Sequence, residues 1–327
     1  MLRAVFLWLS EQPRIFGFVR RNRLARKLAS RFVAGETIDD AVAAARELNA
    51  PPAPPAPPAP RAPPAAGGGL SVSLDLLGES VLHAEEAQRA CATYLELLDQ
   101  IYAARVNANV SVKLTQMGLD VDEALCMRNM ESIISKAKHH DSFVRIDMEQ
   151  SSLTAKTLQL FTDVLYPEFG NAVGVVLQSY LRRTAADVDA MIALGARVRL
   201  CKGAYQEPEH VAFPDKKDVD ANFITCMERL LERGNYPGIA THDEKIIAHA
   251  KAFARTKGIP AARFEFQMLY GVRRDLQTRL RREGYNMRVY VPFGTHWYPY
   301  LMRRLAERPA NIAFITANVL KESVHRR

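Results

Sequence analysis

The stretch LSVSLDLL, residues 70–77, is an apolar and β-branched run of strand length. A helix-period stretch follows at 84–103, and it leads into a second strand-like run, VSVKL, at 110–114. Strand, helix and strand in this order predict a right-handed βαβ unit, and therefore a parallel sheet.

The same alternation continues along the rest of the chain, with turn or cap residues at the joins. Six further apolar or β-branched runs occur at 143–147, 173–178, 198–202, 238–242, 264–269 and 288–291. Eight strands that alternate with helices are the number that closes a (β/α)8 TIM-type barrel. A doubly wound open sheet is the alternative, but no glycine-rich dinucleotide fingerprint follows any of these runs. We therefore expect an α/β protein with a distorted (β/α)8 barrel.

Composition and charge narrow the class of protein. The 327 residues are 48% hydrophobic and carry a formal net charge of +8, which suits a large core and an anionic partner. Apart from a cluster between residues 14 and 31 the basic residues are spread out, so we expect no nucleic-acid binding; an acidic membrane surface and an anionic substrate both fit. The four cysteines have no metal-ligand spacing, which indicates reduced thiols in a cytoplasmic protein with no bound metal. Residues 1–10 are apolar but short, and they predict a surface helix rather than a signal peptide.

One segment interrupts the pattern. Residues 51–66 are nearly all proline and alanine, and three glycines follow at 67–69. Such a stretch forms neither helix nor sheet and favours polyproline II. It divides an N-terminal helical section at 1–50 from a catalytic barrel at 70–327. We interpret 51–69 as a linker or loop insertion, and a docking ligand for a partner domain is the alternative.

Polar side chains occupy the carboxyl ends of the predicted strands, which is where a barrel builds its active site. Taken singly, Gln116, Glu149 and Glu265 are each better interpreted as structural groups. Seven or eight polar ends that converge on one face indicate a site. The residues concerned are Asp75, Glu79, Lys113, Gln116, Asp147, Glu149, Gln178, Arg199, Lys202, Thr241, His242, Glu265, Gln267 and Tyr290.

A second group lies near the end of the chain. Tyr300, Arg303, Arg304 and Glu307 fall at helical offsets 0, 3, 4 and 7, so a helix places them on one face. Two adjacent guanidiniums form a clamp for a carboxylate, and we expect this helix over the barrel mouth. A solvated arginine-rich face is the alternative, which the flanking aromatic residues disfavour.

Eight motifs resemble the proline dehydrogenases, in the order that the family shows. The segment GETIDDA (35–41) also resembles that family's N-terminal helical region. The resemblance implies an FAD-dependent barrel that oxidises L-proline to 1-pyrroline-5-carboxylate, the first step of proline catabolism to glutamate, and passes the electrons to a membrane quinone. The motifs are LDLLGES (74–80), VSVKLTQMGLD (110–120), VRIDMEQS (144–151), GVVLQSYLRRT (174–184), VRLCKGAY (198–205), IATHD (239–243), FEFQMLYG (264–271) and VYVPFGTHWYPYLMRRLAER (289–308).

The resemblance implies a role for each matching residue. Catalytic roles fall to Asp147 and to Arg199, which also meets the flavin's reactive nitrogen. Glu79 and Arg303 match an ion pair that closes a gate over the substrate. The residues that match the substrate site, for the proline carboxylate and ring, are Lys113, Leu269, Tyr290, Tyr300, Arg303 and Arg304. The residues that match FAD-binding positions are Met148, Gln178, Arg199, Lys202, Gly203, Ala204, Thr241 and His242.

Two other functions remain open from the residues themselves. Lys113 and Lys202 at a barrel mouth also suit Schiff-base chemistry, as in a class I aldolase-like enzyme. A scaffold protein recruited through its proline-rich segment is the third hypothesis. The chain has no aldehyde dehydrogenase domain after the barrel, so the resemblance implies a monofunctional enzyme with a separate pyrroline-5-carboxylate dehydrogenase as partner. We expect a cytoplasmic protein, with peripheral contact at the inner face of the membrane as an open option.

Overall fold

The computed structural model describes residues 29–51 and 69–307, and for residues 303–307 it describes the backbone alone. Eight parallel strands close into a barrel in which each strand pairs with the next along the chain and β8 pairs with β1. The predicted fold is therefore confirmed. The strands are β1 Ser71–Leu76, β2 Ala108–Val112, β3 Val144–Ile146, β4 Val173–Gln178, β5 Arg197–Cys201, β6 Gly238–Ala240, β7 Glu265–Leu269 and β8 Asn286–Phe293.

Helices alternate with the strands. A π-helical turn, Phe161–Leu165, joins α4 to α5, and 3-10 turns at Gly170–Ala172 and Ala261–Arg263 precede β4 and β7. The helices are α1 Ile38–Asn49, α2 Ala84–Ala104, α3 Glu123–His139, α4 Ser151–Leu160, α5 Tyr166–Phe169, α6 Thr184–Leu194, α7 Lys216–Arg233, α8 Glu244–Thr256, α9 Arg274–Arg282 and α10 Trp297–Glu307.

The main core lies between the barrel wall and the surrounding helices. Strand residues that point outward, such as Val72, Val110 and Val144, are fully buried there. Helix α2 contributes Tyr94 and Leu98, which lie four positions apart and therefore share one face. Residues inside the barrel, by contrast, are largely polar, although such interiors are usually filled by branched apolar side chains.

Helix α1 covers the seam between β8 and β1. Its N-terminal end lies at the carboxyl end of β8, where the Ala34 amide donates to the Pro292 carbonyl at 2.9 Å. At its other end the Leu70 amide donates to the Leu48 carbonyl at 2.8 Å, beside the start of β1. Helix α1 thus runs opposite to the strands, in the position that a helix after β8 takes in a regular barrel.

Because α1 occupies that position, α10 lies elsewhere. It packs with Ala29, Val33 and Leu77, and Trp297 donates from its indole nitrogen to Glu36 at 3.1 Å. Leu77 follows β1 at its carboxyl end, so α10 lies over this end of the barrel, which we call the mouth; the opposite end is the base. Helix α10 over the mouth matches the sequence prediction.

The proline-rich tract begins and ends at the base. Residues 52–68 lie outside the described part of the chain, but the residues on either side meet, since the Asn49 side chain donates to the Leu70 carbonyl at 2.7 Å. The domain boundaries at 50 and 70 stay a prediction, and residues 1–28 are outside the described residues.

One predicted strand end is wrong. Glu265 lies at the first position of β7, not at its carboxyl end, and it points into the barrel toward the base. There its carboxylate accepts from Arg288 at 2.7 Å. Gln116 is at the mouth but has a structural role, because it donates to the Leu76 carbonyl at 3.0 Å.

Candidate active site

A cavity of about 1270 Å³ opens at the barrel mouth. Arg303 and Arg304 fall in α10, but their side chains lie outside the described residues. All the other residues to which the resemblance gave a role line the cavity, so residues from most strand ends converge as the sequence indicated. These lining residues are Glu79, Lys113, Asp147, Met148, Gln178, Arg199, Lys202, Gly203, Ala204, Thr241, His242, Leu269, Tyr290 and Tyr300.

Lys113 forms a buried ion pair with a residue from the neighbouring strand. Its ammonium lies 2.6 Å from the carboxylate of Asp75. Burial alone would lower the pKa of Lys113, but the carboxylates of Asp75 and Asp147 outweigh burial and hold that pKa well above its ordinary value. Lys113 is therefore a fixed cation at the cavity wall, suited to binding a carboxylate.

Arg199 lies at the centre of a hydrogen-bond network that crosses the barrel. One terminal nitrogen donates to Asp147 at 2.8 Å, and the other donates to the hydroxyls of Ser73 and Ser111 at 3.2 and 3.1 Å. Its Nε donates to the Gln267 side chain at 2.6 Å. Four partners on four strands fix the guanidinium plane before any ligand binds.

Tyr290 completes this network. Its hydroxyl donates to the second carboxylate oxygen of Asp147 at 2.7 Å, and its ring lies under the Arg199 guanidinium at 5.1 Å. Burial and the Asp147 charge raise the pKa of Tyr290 well above the usual value, so the hydroxyl keeps its proton. Asp147 thus accepts from both Arg199 and Tyr290, and its carboxylate has one orientation.

On the other side of the cavity, Lys202 is held between two carboxylates. It lies 2.5 Å from Asp220 on α7 and 3.2 Å from Asp243, the residue that caps the N-terminus of α8. Lys216 also contacts Asp220, so two ammonium groups share this edge of the cavity. The two aspartates hold the lysines in place, and the ammonium groups have further N–H donors for an anionic ligand.

Three further residues show how the cavity wall is built. Gln178 donates to the Met148 carbonyl at 3.3 Å, but its buried side-chain oxygen has no hydrogen-bond partner among the described residues. His242 accepts from the Leu269 amide through Nε2 at 3.0 Å, which places the proton of the neutral ring on Nδ1. Gly203 has φ +100°, and a Cβ there would lie 2.2 Å from the Tyr180 ring, so packing within the protein already requires glycine.

Comparison with known proteins identifies the family. A family model described as proline dehydrogenase matches residues 61–317. The chain belongs to the proline dehydrogenase family. Proline dehydrogenase 1 of Bacillus subtilis strain 168 is 41% identical over 322 residues, which cover 98% of this chain and 100% of that protein. The proline dehydrogenase of Deinococcus radiodurans is 40% identical over 325 residues, 98% of each chain.

A solved structure supports the same fold. Proline utilization A (PutA) from Bdellovibrio bacteriovorus, inactivated by N-propargylglycine, superposes with a TM-score of 0.75 at 27% identity. The match covers 93% of this chain but 36% of that one, so this chain spans about a third of the solved protein. The chain is therefore an oxidoreductase of the proline dehydrogenase family with a TIM-type barrel.

The residues that position these side chains had no predicted role, although Asp75 and Gln267 were among the polar strand ends that indicated a site. Asp75 pairs with Lys113, while Ser73, Ser111 and Gln267 hold Arg199. Asp220 pairs with Lys202 from a helix rather than a strand. The strand residues shared a signal in the sequence, because a polar residue recurs at every second position of β1, β2 and β7 and so faces the barrel interior. The Asp220 pairing had no such signal.

Geometry disfavours Schiff-base chemistry at the two lysines. A lysine that attacks a carbonyl must be neutral, and Lys113 has its pKa raised by the paired carboxylates. The Lys202 nitrogen is held by the carboxylates of Asp220 and Asp243, so it is not free to attack a carbonyl. Among residues 29–51 and 69–307, no helix is long and apolar enough to cross a membrane.

Proposed function

We propose that this chain oxidises L-proline to 1-pyrroline-5-carboxylate with bound FAD and passes the electrons to a membrane quinone. The observation that carries the proposal is the mouth cavity, in which a fixed lysine and a fixed arginine-carboxylate-tyrosine network face each other across one space. Membership of the proline dehydrogenase family supports the same reaction.

The cavity suits a large cofactor together with a small substrate. Its volume of about 1270 Å³ exceeds that of pockets for ordinary drug-sized ligands, roughly 300–1,000 Å³. The unpartnered oxygen of Gln178 is an acceptor that suits an N–H of a flavin ring. Lys202 and Lys216 would supply N–H donors for a pyrophosphate. These residues fit FAD, which when bound supplies the acceptor for the hydride that leaves proline.

Residues at the mouth divide the remaining tasks between them. Lys113 would attract the substrate carboxylate, aided by Arg303 and Arg304 from α10. Leu269, Tyr290 and Tyr300 would contact the proline ring and orient its reacting carbon. The guanidinium of Arg199 would stabilise negative charge that develops beside it, and its four partners keep it from moving. Glu79 with Arg303 as a gate, and Met148, Gly203, Ala204, Thr241 and His242 as cofactor contacts, belong to the same proposal.

Spectroscopy of the purified protein tests the proposal. We expect a yellow protein whose flavin absorbance bleaches when L-proline is added without oxygen, and 1-pyrroline-5-carboxylate in an amount that matches the bleached flavin. A soluble quinone should restore the colour. A colourless protein in which borohydride traps substrate on Lys113 or Lys202 would instead establish the aldolase-like alternative.

Cellular partners are a separate part of the proposal. Transfer of electrons to a quinone requires contact with a membrane, and a cytoplasmic protein with peripheral binding at the inner face meets this requirement. Sedimentation with vesicles of bacterial lipid, with and without a quinone, measures that contact. The product would be taken up by a separate pyrroline-5-carboxylate dehydrogenase, which a coupled assay with added enzyme tests.

A further inference from the structure

A second cavity, of about 840 Å³, opens at the base of the barrel, at the end opposite to the candidate active site. Four arginine or lysine residues line it, Arg105, Lys138, Arg197 and Arg288, whereas Asp141 is the sole acidic residue among the described lining. None of these residues has a part in the proposed reaction.

Arg197 is the most unusual member of this lining. Its guanidinium lies 4.3 Å from the ring centre of Phe143 and 4.9 Å from that of Tyr236. Its Nε is buried without a hydrogen-bond partner, and within the described residues its side chain forms no ion pair. Arginine keeps its charge under all ordinary conditions, so this position holds a largely buried cation with aromatic contacts but no carboxylate in direct contact.

Neighbouring arginines increase the excess of positive charge around Arg197. Arg145, fully buried behind Phe143, directs one terminal nitrogen to the backbone carbonyls of Val175 and Arg197 at 3.1 and 2.5 Å, and neither of these carries a charge. Burial and the nearby Arg199 and Arg197 lower the pKa of Arg145 well below its ordinary value. Arg288 has a partner, Glu265, which is the one carboxylate within reach of this group among the described residues. Glu265 also acts on Arg145 and Arg197 without direct contact, so three guanidinium groups share one carboxylate and an excess of two positive charges remains.

Asn109 gives a second, independent indication of a ligand. This residue points into the base of the barrel and lines the cavity, and it is more than nine-tenths buried. Its side-chain oxygen has no hydrogen-bond partner, and its amide nitrogen donates to none of the described residues. A buried amide oxygen without a donor is costly unless a bound group donates to it.

We propose that the base cavity binds a small dianionic oxyanion, of the class of hydrogen phosphate or sulfate, with Arg197 and Asn109 as its principal donors. A dianion matches the excess of two positive charges that remains when Arg145, Arg197 and Arg288 share Glu265. Its oxygens accept from the Arg197 guanidinium and from the Asn109 amide nitrogen, and the hydroxyl of hydrogen phosphate can donate to the unpartnered Asn109 oxygen. The site is separate from the proposed reaction, and it stands whether or not that reaction is correct.

Calorimetric titration of the flavin-loaded protein with sodium phosphate tests this inference, alongside thermal unfolding in phosphate, sulfate, acetate and chloride at equal ionic strength. We expect phosphate and sulfate to raise the unfolding temperature by mass action, and acetate and chloride to have little effect. Arg197→Met keeps the aliphatic contact with Phe143 but removes the charge, and it should weaken phosphate binding by about tenfold or more. Without phosphate this variant should unfold at or above the wild-type temperature, because a buried unpaired charge has been removed.

Two further variants test whether phosphate binds in the base cavity. Arg282→Met, at an exposed position of α9 outside the cavity lining, should bind phosphate as the wild type does. Asn109→Ala should weaken binding, and it serves as the test if Arg197→Met does not fold. Phosphate binding that survives Arg197→Met and Asn109→Ala but is lost in Lys113→Met would place the anion at the mouth and overturn the inference. An equal response to acetate would overturn the assignment to a dianion.

Discussion

Buried cations at the mouth of this barrel each contact a carboxylate, whereas two buried arginines at the base do not. At the mouth, Lys113 pairs with Asp75 and Arg199 with Asp147, so each cation has a carboxylate within 2.8 Å. At the base, Arg145 and Arg197 have no carboxylate in direct contact, and they share the charge of Glu265 with Arg288, which binds it at 2.7 Å. A site whose charges are already paired holds its geometry without a ligand, whereas one with unpaired charges is incomplete until an anion arrives.

Arg199 and Arg197 provide the strongest test of that difference, since they lie two positions apart on β5. We expect Arg199→Lys to lower kcat/KM for proline by about 100-fold or more, because lysine cannot donate to Asp147, Gln267 and two serines at once. Steady-state kinetics with a soluble quinone measures the loss, and flavin content controls for folding.

Arg197→Lys makes the same replacement at the base and is the matched control. It should leave kcat/KM within about threefold of the wild type, since the base takes no part in the proposed reaction. Equal losses of kcat/KM in the two variants would show that the two ends of the barrel form one functional unit. The contrast drawn between the mouth and the base would then be wrong.

Gln267 connects the hydrogen-bond network at the mouth with the charged residues at the base. It accepts from Arg199 at 2.6 Å and donates to Glu265 at 2.6 Å, and Glu265 in turn binds Arg288. We infer that Gln267 is a positioning residue that fixes the angle of the Arg199 guanidinium. Gln267→Leu should lower kcat about tenfold with little change in the KM for proline. Anaerobic single-turnover reduction separates the two constants; a rise in KM with unchanged kcat would show that Gln267 serves binding instead.

How far the sequence predicts this molecule differs between its parts. The strand-helix alternation predicted the closed barrel, because periodicity records which face of each element is buried. It could not show that α1 rather than α10 covers the β8–β1 seam, since that choice depends on contacts far apart in the chain, such as Ala34 with Pro292.

The candidate sites also have parts that the sequence predicts and parts that it does not. Residues that line the mouth could be predicted because they follow strands at their carboxyl ends. The pairing of charges could not be predicted. Whether Lys113 meets Asp75 depends on the register of β1 against β2, and in the structure Asp75 lies opposite Ser111, two residues before Lys113. At the base, Arg145 and Arg197 each look like an ordinary strand residue in the sequence, and their lack of a counter-ion becomes visible in three dimensions only.

Glu149 is an exception at the mouth, since it is a buried carboxyl held by Thr115 rather than by a cation. Burial raises its pKa from 4.5 to about 7. The unfolded chain loses this proton near the ordinary value and the folded protein near 7, so the free energy of unfolding should fall as the pH rises through this range. Glu149→Gln keeps the contact with Thr115 and should remove that slope.

Urea unfolding between pH 5 and pH 8 measures this effect. Relative to the wild type, Glu149→Gln should gain up to about 3 kcal/mol between these limits, because each pH unit between the unfolded and folded pKa values changes the free energy of unfolding by about 1.4 kcal/mol. Parallel stability curves for the two proteins would mean that Glu149 titrates as an ordinary carboxyl.

The smallest effect is expected from the proline-rich tract, which begins and ends at the base. Removal of residues 51–66 leaves Ala50 and the three glycines between Asn49 and Leu70, and such a four-residue loop is ample for chain ends that already share hydrogen bonds. A shorter loop costs less closure entropy, by about 0.6 kcal/mol per halving, so the deletion should be neutral or slightly stabilising. Turnover of proline should stay within about twofold, because the mouth lies at the far end of the barrel. Loss of flavin or of turnover in a soluble, folded deletion variant would show that the tract acts on the site, and that the two ends of the molecule are less independent than their charges indicate.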